Sequence, residues 1–240
     1  MWTPDRRSVL AGAAAAMTTG RVRAAASEPI GWSDQPAFPT GPLAAGVGRG
    51  FRAPASESRW PQDVPLIGPD GPVSSASWRG KTMLVALWAE WCAPCLAEMP
   101  SLSRLNRAYA NARFEILPIA TGTHALRTCR EAQERLRRLN GVELPTLLDG
   151  SPRRDALMNT LSHFLPPPDF KLPPGATLSG GILPCLVVVD PRGGLRGRYQ
   201  GGPGPNGKNA WDLPASEAFI KALAGGAAAN EPAPPASARI

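Results

Sequence analysis

Residues 88–100 read WAEWCAPCLAEMP. Two of the four cysteines, Cys92 and Cys95, stand here with Ala93 and Pro94 between them, and Glu98 follows three residues after the second. The preceding run, Met83–Trp88 (MLVALW), is continuously apolar, which predicts a strand buried on both faces. Beyond the cysteines, Leu96, Met99, Leu102, Leu105 and Tyr109 recur at helical spacing. The cysteine pair therefore sits where a strand hands over to a helix. Pro94 falls in the first helical turn, where its missing N–H costs nothing. Cys92 is left at the helix N-terminus, whose unsatisfied amides and dipole favour an anion, so its thiol is expected to ionise more readily than a free one. Cys95 lies on the same face, within reach of a disulfide spanning roughly 5–6 Å between Cα atoms. Cys92 is the expected attacking thiolate and Cys95 the expected resolving thiol.

Two other uses of such a pair compete. A metal site would need a second ligand pair at a definite spacing, and Cys129, Cys185, His124 and His163 do not supply one. A copper site built from Cys92, Cys95 and His124 stays open as a metal-binding alternative. As a mere staple the pair would close a loop too short to remove much chain entropy. No cofactor or resident metal is expected.

Outward from the motif, Pro69-Asp70-Gly71 predicts a small hairpin before it. FEILPIA (114–120) and VELPTLL (142–148) read as strands, and residues 127–140 and 153–165 as helices, the former stopped by Gly141. Residues 166–181 form a Pro/Gly-rich stretch that reads as a surface insertion or a partner surface. Leu186–Val189 and Leu195–Gln200 read as a second hairpin, with a final helix over 216–226. This order predicts an α/β fold with a central mixed sheet flanked by helices, an N-terminal β-hairpin and a central βα insertion. The domain is expected over 62–223, preceded by a flexible arm (27–61) and followed by a disordered tail (224–240).

The net charge is +7 over 240 residues, without a Lys/Arg block interleaved with aromatics, so nucleic acid is not an expected partner. Residues 1–26 look like an export signal: Arg6-Arg7-Ser-Val-Leu resembles a twin-arginine leader, with small-residue cleavage after Ala26. Its removal takes four arginines and one aspartate and lowers the net charge to +4. A periplasmic location is the expectation, where cysteine redox state is a live question.

WAEWCAPC after a buried strand resembles the thioredoxin superfamily. With LAEMP behind it and SWRGKTMLVALW before it, the chain resembles the TlpA/ResA-like thiol–disulfide oxidoreductases, a group that includes cytochrome c maturation proteins. The resemblance covers roughly 64–223. It implies that Cys92 and Cys95 are the redox pair, that Pro100 kinks the first helix, and that Pro184 in GILPCLVVVD is a cis-proline opposite the disulfide. Leu144-Pro145 competes for that place but lacks the hairpin that follows Pro184. Trp91, Leu183 and Pro184 are the implied substrate-binding residues, and Glu98 matches an acid of the cytochrome-maturation members. That acid reads either as a proton relay for Cys95 or as a solvated acid in the first helical turns. The implied partners are a disulfide-containing protein substrate and a membrane-embedded thiol electron donor.

The sequence departs from the pattern in places. The buried acid of thioredoxin, six residues before the first cysteine, is Ala86 here, and Glu90 reads as a surface residue. Cys185 follows the implied cis-proline and reads as a small buried hydrophobe, as a third redox thiol, or as a partner of Cys129. His163 reads as a packing histidine. Strong oxidants of the superfamily place a histidine beside the resolving cysteine; Ala93-Pro94 cannot act so, which favours a reductase. A peroxiredoxin-type peroxidase is the alternative enzyme, although such enzymes place a threonine where Ala89 stands.

Overall fold

In the computed structural model, residues 50–139, 141–162, 181–201 and 208–226 are described. The expected export signal, His163, the tail beyond residue 226 and nearly all of 166–181 lie outside them. The strands are β1 (Leu66–Gly68), β2 (Gly71–Val73), β3 (Thr82–Trp88), β4 (Phe114–Ala120), β5 (Leu147–Asp149), β6 (Cys185–Val189) and β7 (Leu195–Gln200). The helices are α1 (Ala93–Tyr109), α2 (Cys129–Arg137), α3 (Ala156–Leu161) and α4 (Pro214–Ala224). They build one mixed sheet in the order β2-β1-β5-β4-β3-β6-β7, with β3, β4 and β5 parallel and the other pairings antiparallel. The α/β mixed-sheet architecture expected from the sequence is what forms.

Strand β3 is buried along its whole length because both faces are covered. Leu84, Ala86 and Trp88 point into one core layer with Met99 and Leu102 of α1, Leu136 of α2 and Phe219 of α4. Met83, Val85 and Leu87 point into the other, with Trp60, Leu157 and Leu161. Each such aliphatic side chain contributes about 1.5–3 kcal/mol on burial. The continuous apolar run thus reports two layers rather than one.

Prolines shape the left half of the sheet. Pro118 lies inside β4, yet β5 pairs with β4 only at Ile119 and Ala120, so Pro118 occupies a stretch where that edge is open and no N–H is called for. The expected strand over 142–148 forms only from Leu147, because Pro145 cannot donate to a ladder. The Gln133 side chain takes over there: its amide donates to Leu144 O (3.0 Å) and its Oε1 accepts from Thr146 N (3.0 Å). The helix expected over 127–140 runs as Cys129–Arg137, fixed by a capping box in which Thr128 and Glu131 exchange bonds with each other's backbone N–H. Thr128→Ala is expected to cost ~1 kcal/mol, read as a lowered urea midpoint with unchanged slope.

The arm expected over 27–61 meets the described residues only at its end, and there it is packed rather than loose. Arg52 exchanges two 2.8 Å backbone bonds with Arg198 of β7, and Leu195 N donates to Ser58 O (2.8 Å). Phe51 is fully buried, 5.4 Å from the Tyr199 ring and 5.0 Å from the Phe219 ring. Residues 50–60 so cover the β7 edge, which would otherwise present unpaired backbone groups.

Candidate active site

The C-terminal end of β3 delivers Trp88, and the chain turns through Ala89–Trp91 into α1. Cys92 is the N-cap of α1, and its sulfur accepts from Cys95 N–H (3.3 Å). The two cysteines form a disulfide with Cα atoms 5.3 Å apart. Pro94 sits in the first turn and Pro100 inside the helix, as expected. Below the motif, Trp88 Nε1–H donates to Thr146 Oγ1 (3.1 Å), whose hydroxyl is also 3.2 Å from Pro118 O, so the strand ends β3, β4 and β5 are tied together under the disulfide.

The Leu183–Pro184 peptide is cis, at the start of β6. Since β6 lies beside β3 with Cys185 opposite Leu87, this bond faces the strand end that carries the cysteines. Pro184 O accepts from Gly201 N (3.1 Å). Among the described residues the exposed large apolar side chains are Trp91 (47% exposed) and Ile182 (36%), one immediately before Cys92 and the other two before Pro184.

Glu98 is only 4% exposed, so the solvated reading of this acid is replaced by a buried carboxylate. Its oxygens lie over Gly201: a Cβ there would sit 2.5 Å from Oε1 and 3.0 Å from Oε2, and 2.6 Å from Pro184 Cγ. Nearby Tyr199 has its pKa raised, by burial first and by the Glu98 charge second.

Cys185 and Cys129 are free and buried. They belong to opposite core layers, Cys129 with α1 and α4, Cys185 with α3, so they do not pair. Cys185 donates weakly to Leu161 O (3.7 Å), away from the layer that holds the disulfide. Burial pushes its thiol up to about 12, with Arg198 opposing and Glu98 adding. Cys129 donates to Thr146 O (3.1 Å), and burial raises its pKa also. These observations support the reading of Cys185 as a small core side chain over that of a third redox thiol. With a pKa near 12, only ~10⁻⁴ of it is thiolate at pH 8. Native protein in iodoacetamide at pH 8 is expected to leave Cys185 unlabelled, with labelling only after denaturation; prompt native labelling would refute the assignment. The linked effect on stability follows in sign. Below pH ~9 folded and unfolded thiols are both protonated; above it the unfolded thiol ionises first, so the contribution of this group to stability falls as the pH rises.

Glu90, read as a surface residue, is partly exposed, but its carboxylate is anchored rather than solvated. Its Oε1 accepts from two consecutive backbone N–H groups in the loop after β4, His124 (2.7 Å) and Ala125 (2.6 Å). Trp91 Nε1–H donates to Gly122 O (2.7 Å), and the Trp91 and His124 rings stack at 5.8 Å. Gly122 has φ +64, and a Cβ there would also strike Met158 Sδ at 2.5 Å. No local sequence signal marks these contacts. Among the described residues no group of three or more Cys, His, Asp or Glu could hold a metal ion, and no helix is long and apolar enough to cross a membrane.

A family model described as AhpC/TSA family matches residues 62–198. The thiol-disulfide oxidoreductase ResA of Geobacillus kaustophilus is 30% identical over 84 residues, 35% of this chain and 44% of that protein. The thioredoxin-like protein YneN of Bacillus subtilis is 46% identical over 33 residues, 14% of this chain and 19% of that one. The chain thus spans less than half the length of these curated relatives. Among solved structures, a thiol:disulfide interchange protein from Bacteroides sp. is similar at 18% identity and TM-score 0.45, over 69% of this chain and 90% of that one.

Proposed function

The chain belongs to the AhpC/TSA family, and from that premise we propose that it is an exported, periplasmic thiol–disulfide oxidoreductase that reduces disulfides of selected proteins. The observation that carries this reading is the Cys92–Cys95 disulfide at the N-terminus of α1, facing the Pro184 strand end between two exposed apolar side chains. In the dithiol form the Cys92 thiolate attacks one substrate sulfur. A Cys92–substrate disulfide forms, the substrate S–S bond breaks, and the departing thiolate takes a proton. Cys95 then loses its proton and attacks Cys92 Sγ. The mixed bond breaks, the released substrate thiolate takes up the proton that Cys95 gave up so that the substrate leaves as a dithiol, and Cys92–Cys95 closes. Two electrons and two protons have moved to the substrate, and a membrane-embedded dithiol donor restores them by the reverse exchange.

Trp91, Leu183 and Pro184 are the proposed substrate-binding residues. Glu98 is the proposed acceptor of the Cys95 proton; its burial one turn along α1, against Pro184 and Gly201, supports this. Substrates of the cytochrome c maturation kind follow from the sequence resemblance alone. The reducing direction rests on Ala93-Pro94, which offers no positive charge to the Cys92 thiolate. The peroxidase alternative is weakened by Ala89, which is fully buried and has no hydroxyl to offer a peroxide. The test is equilibration with glutathione: a potential near the about −270 mV of thioredoxin supports a reductant, and one near the about −120 mV of a strong periplasmic oxidant would overturn it.

A further inference from the structure

We propose that Glu90 is a positioning residue: it docks the 121–125 loop against the cysteine motif and so holds the Trp91–His124 stack as a rigid lip for protein substrates. The proposal rests on the oxidoreductase reading above and names a determinant of how that site meets its substrate.

Glu90 stands two residues before Cys92, in the turn between β3 and α1. Its bonds cross 34 and 35 residues of chain to reach His124 and Ala125. A carboxylate oxygen accepting from two adjacent N–H groups at 2.6–2.7 Å makes two charge-assisted bonds, each stronger than a neutral one. Its other oxygen, Oε2, is buried with no hydrogen-bond partner among the described residues, so the loop amides are the carboxylate's hydrogen-bonded anchorage. The neighbouring side chain repeats the link, with Trp91 Nε1–H on Gly122 O and its ring against His124. Three hydrogen bonds and one ring stack thus join residues 90–91 to residues 122–125.

The consequence lies on the surface. Trp91 is half exposed beside the attacking cysteine, and a large side chain there is useful to a partner only if it does not have to be ordered on binding. A side chain that is already ordered avoids the entropic cost of being fixed at an interface. A protein substrate presses on such a lip, whereas a small aromatic disulfide reaches Cys92 without it. Glu90 touches neither sulfur nor substrate; it acts through the loop.

The experiment compares wild type, Glu90→Ala and Glu90→Gln in two measurements. Amide hydrogen exchange reads the docking directly: His124 and Ala125 N–H are expected to exchange at least ~10-fold faster in Glu90→Ala, with partial protection in Glu90→Gln, which keeps one acceptor oxygen. The second measurement is the ratio of rate constants for reducing insulin and reducing 5,5′-dithiobis(2-nitrobenzoate). That ratio is expected to fall at least ~5-fold in Glu90→Ala and to recover in part in Glu90→Gln, a selective loss that general destabilisation would not produce. Unchanged exchange in Glu90→Ala overturns the docking. Faster exchange with an unchanged ratio overturns the substrate role. If wild type reduces neither disulfide, the oxidoreductase reading falls and takes the substrate role with it, while the exchange measurement still decides the docking.

Discussion

A Cys95→Ser variant is expected to accumulate mixed disulfides with its protein partners, and Cys92→Ser to accumulate none. The asymmetry follows from position on one helix. Cys92 is the N-cap of α1, with its sulfur already accepting the Cys95 N–H, so a thiolate there is stabilised by amide donors and the helix dipole. Cys95 lies a turn inside, 1% exposed, and its role needs only the sulfur beside it. Without Cys95 the first exchange proceeds and the second cannot, so the intermediate persists. Without Cys92 there is no activated attacker. Capture is expected to differ at least ~10-fold between the variants, read as dithiothreitol-sensitive high-mass bands on non-reducing gels. Equal capture by both would reverse the roles assigned to the pair.

Gly201→Ala is expected to be damaging although it adds only one methyl group at the site's edge. Its new methyl would meet Glu98 Oε1 at 2.5 Å and Pro184 Cγ at 2.6 Å, closer than real Cβ contacts come, and Glu98 Oε2 at a tight 3.0 Å. Overpacking of this kind costs about 1–3 kcal/mol. The reason for glycine here is space, not backbone freedom, since Gly201 is not among the glycines with positive φ. Combining it with Glu98→Ala removes the carboxylate part of the collision and leaves the Pro184 part, so partial recovery is expected. A domain of this size loses roughly 2–4 °C of Tm per kcal/mol. A Gly201→Ala melting point within 1 °C of wild type would mean that the strand end yields freely, and would remove this account of why Glu98 is held.

What could be read along the chain was what a residue's own element dictates. The all-apolar MLVALW run announced a central strand, helical spacing announced α1, and Cys92, Pro94 and Cys95 fell where that strand and helix had to meet. The Pro69-Asp70 hairpin followed from the same local reasoning: a two-residue turn links Gly68 and Gly71. Local reasoning failed where a distant side chain replaced a backbone partner, as Gln133 does around Pro145, and where composition hid packing, as at Phe51 and Trp60 in a Gly/Pro-rich stretch.

By itself the sequence determined the strand, the helix and the cysteine pair at their junction, because hydrophobic period and cap chemistry act over a few residues. Only the tertiary structure decided which groups meet across the sheet. Strand order and register put Cys129 and Cys185 in opposite core layers, buried Glu98 against Gly201 and Pro184, and set Glu90 on the amides of His124 and Ala125. A carboxylate in a sequence carries no mark of the amide it will find. That depends on where the sheet crossovers return the chain, and on the cost of leaving a buried charge without a partner once they have.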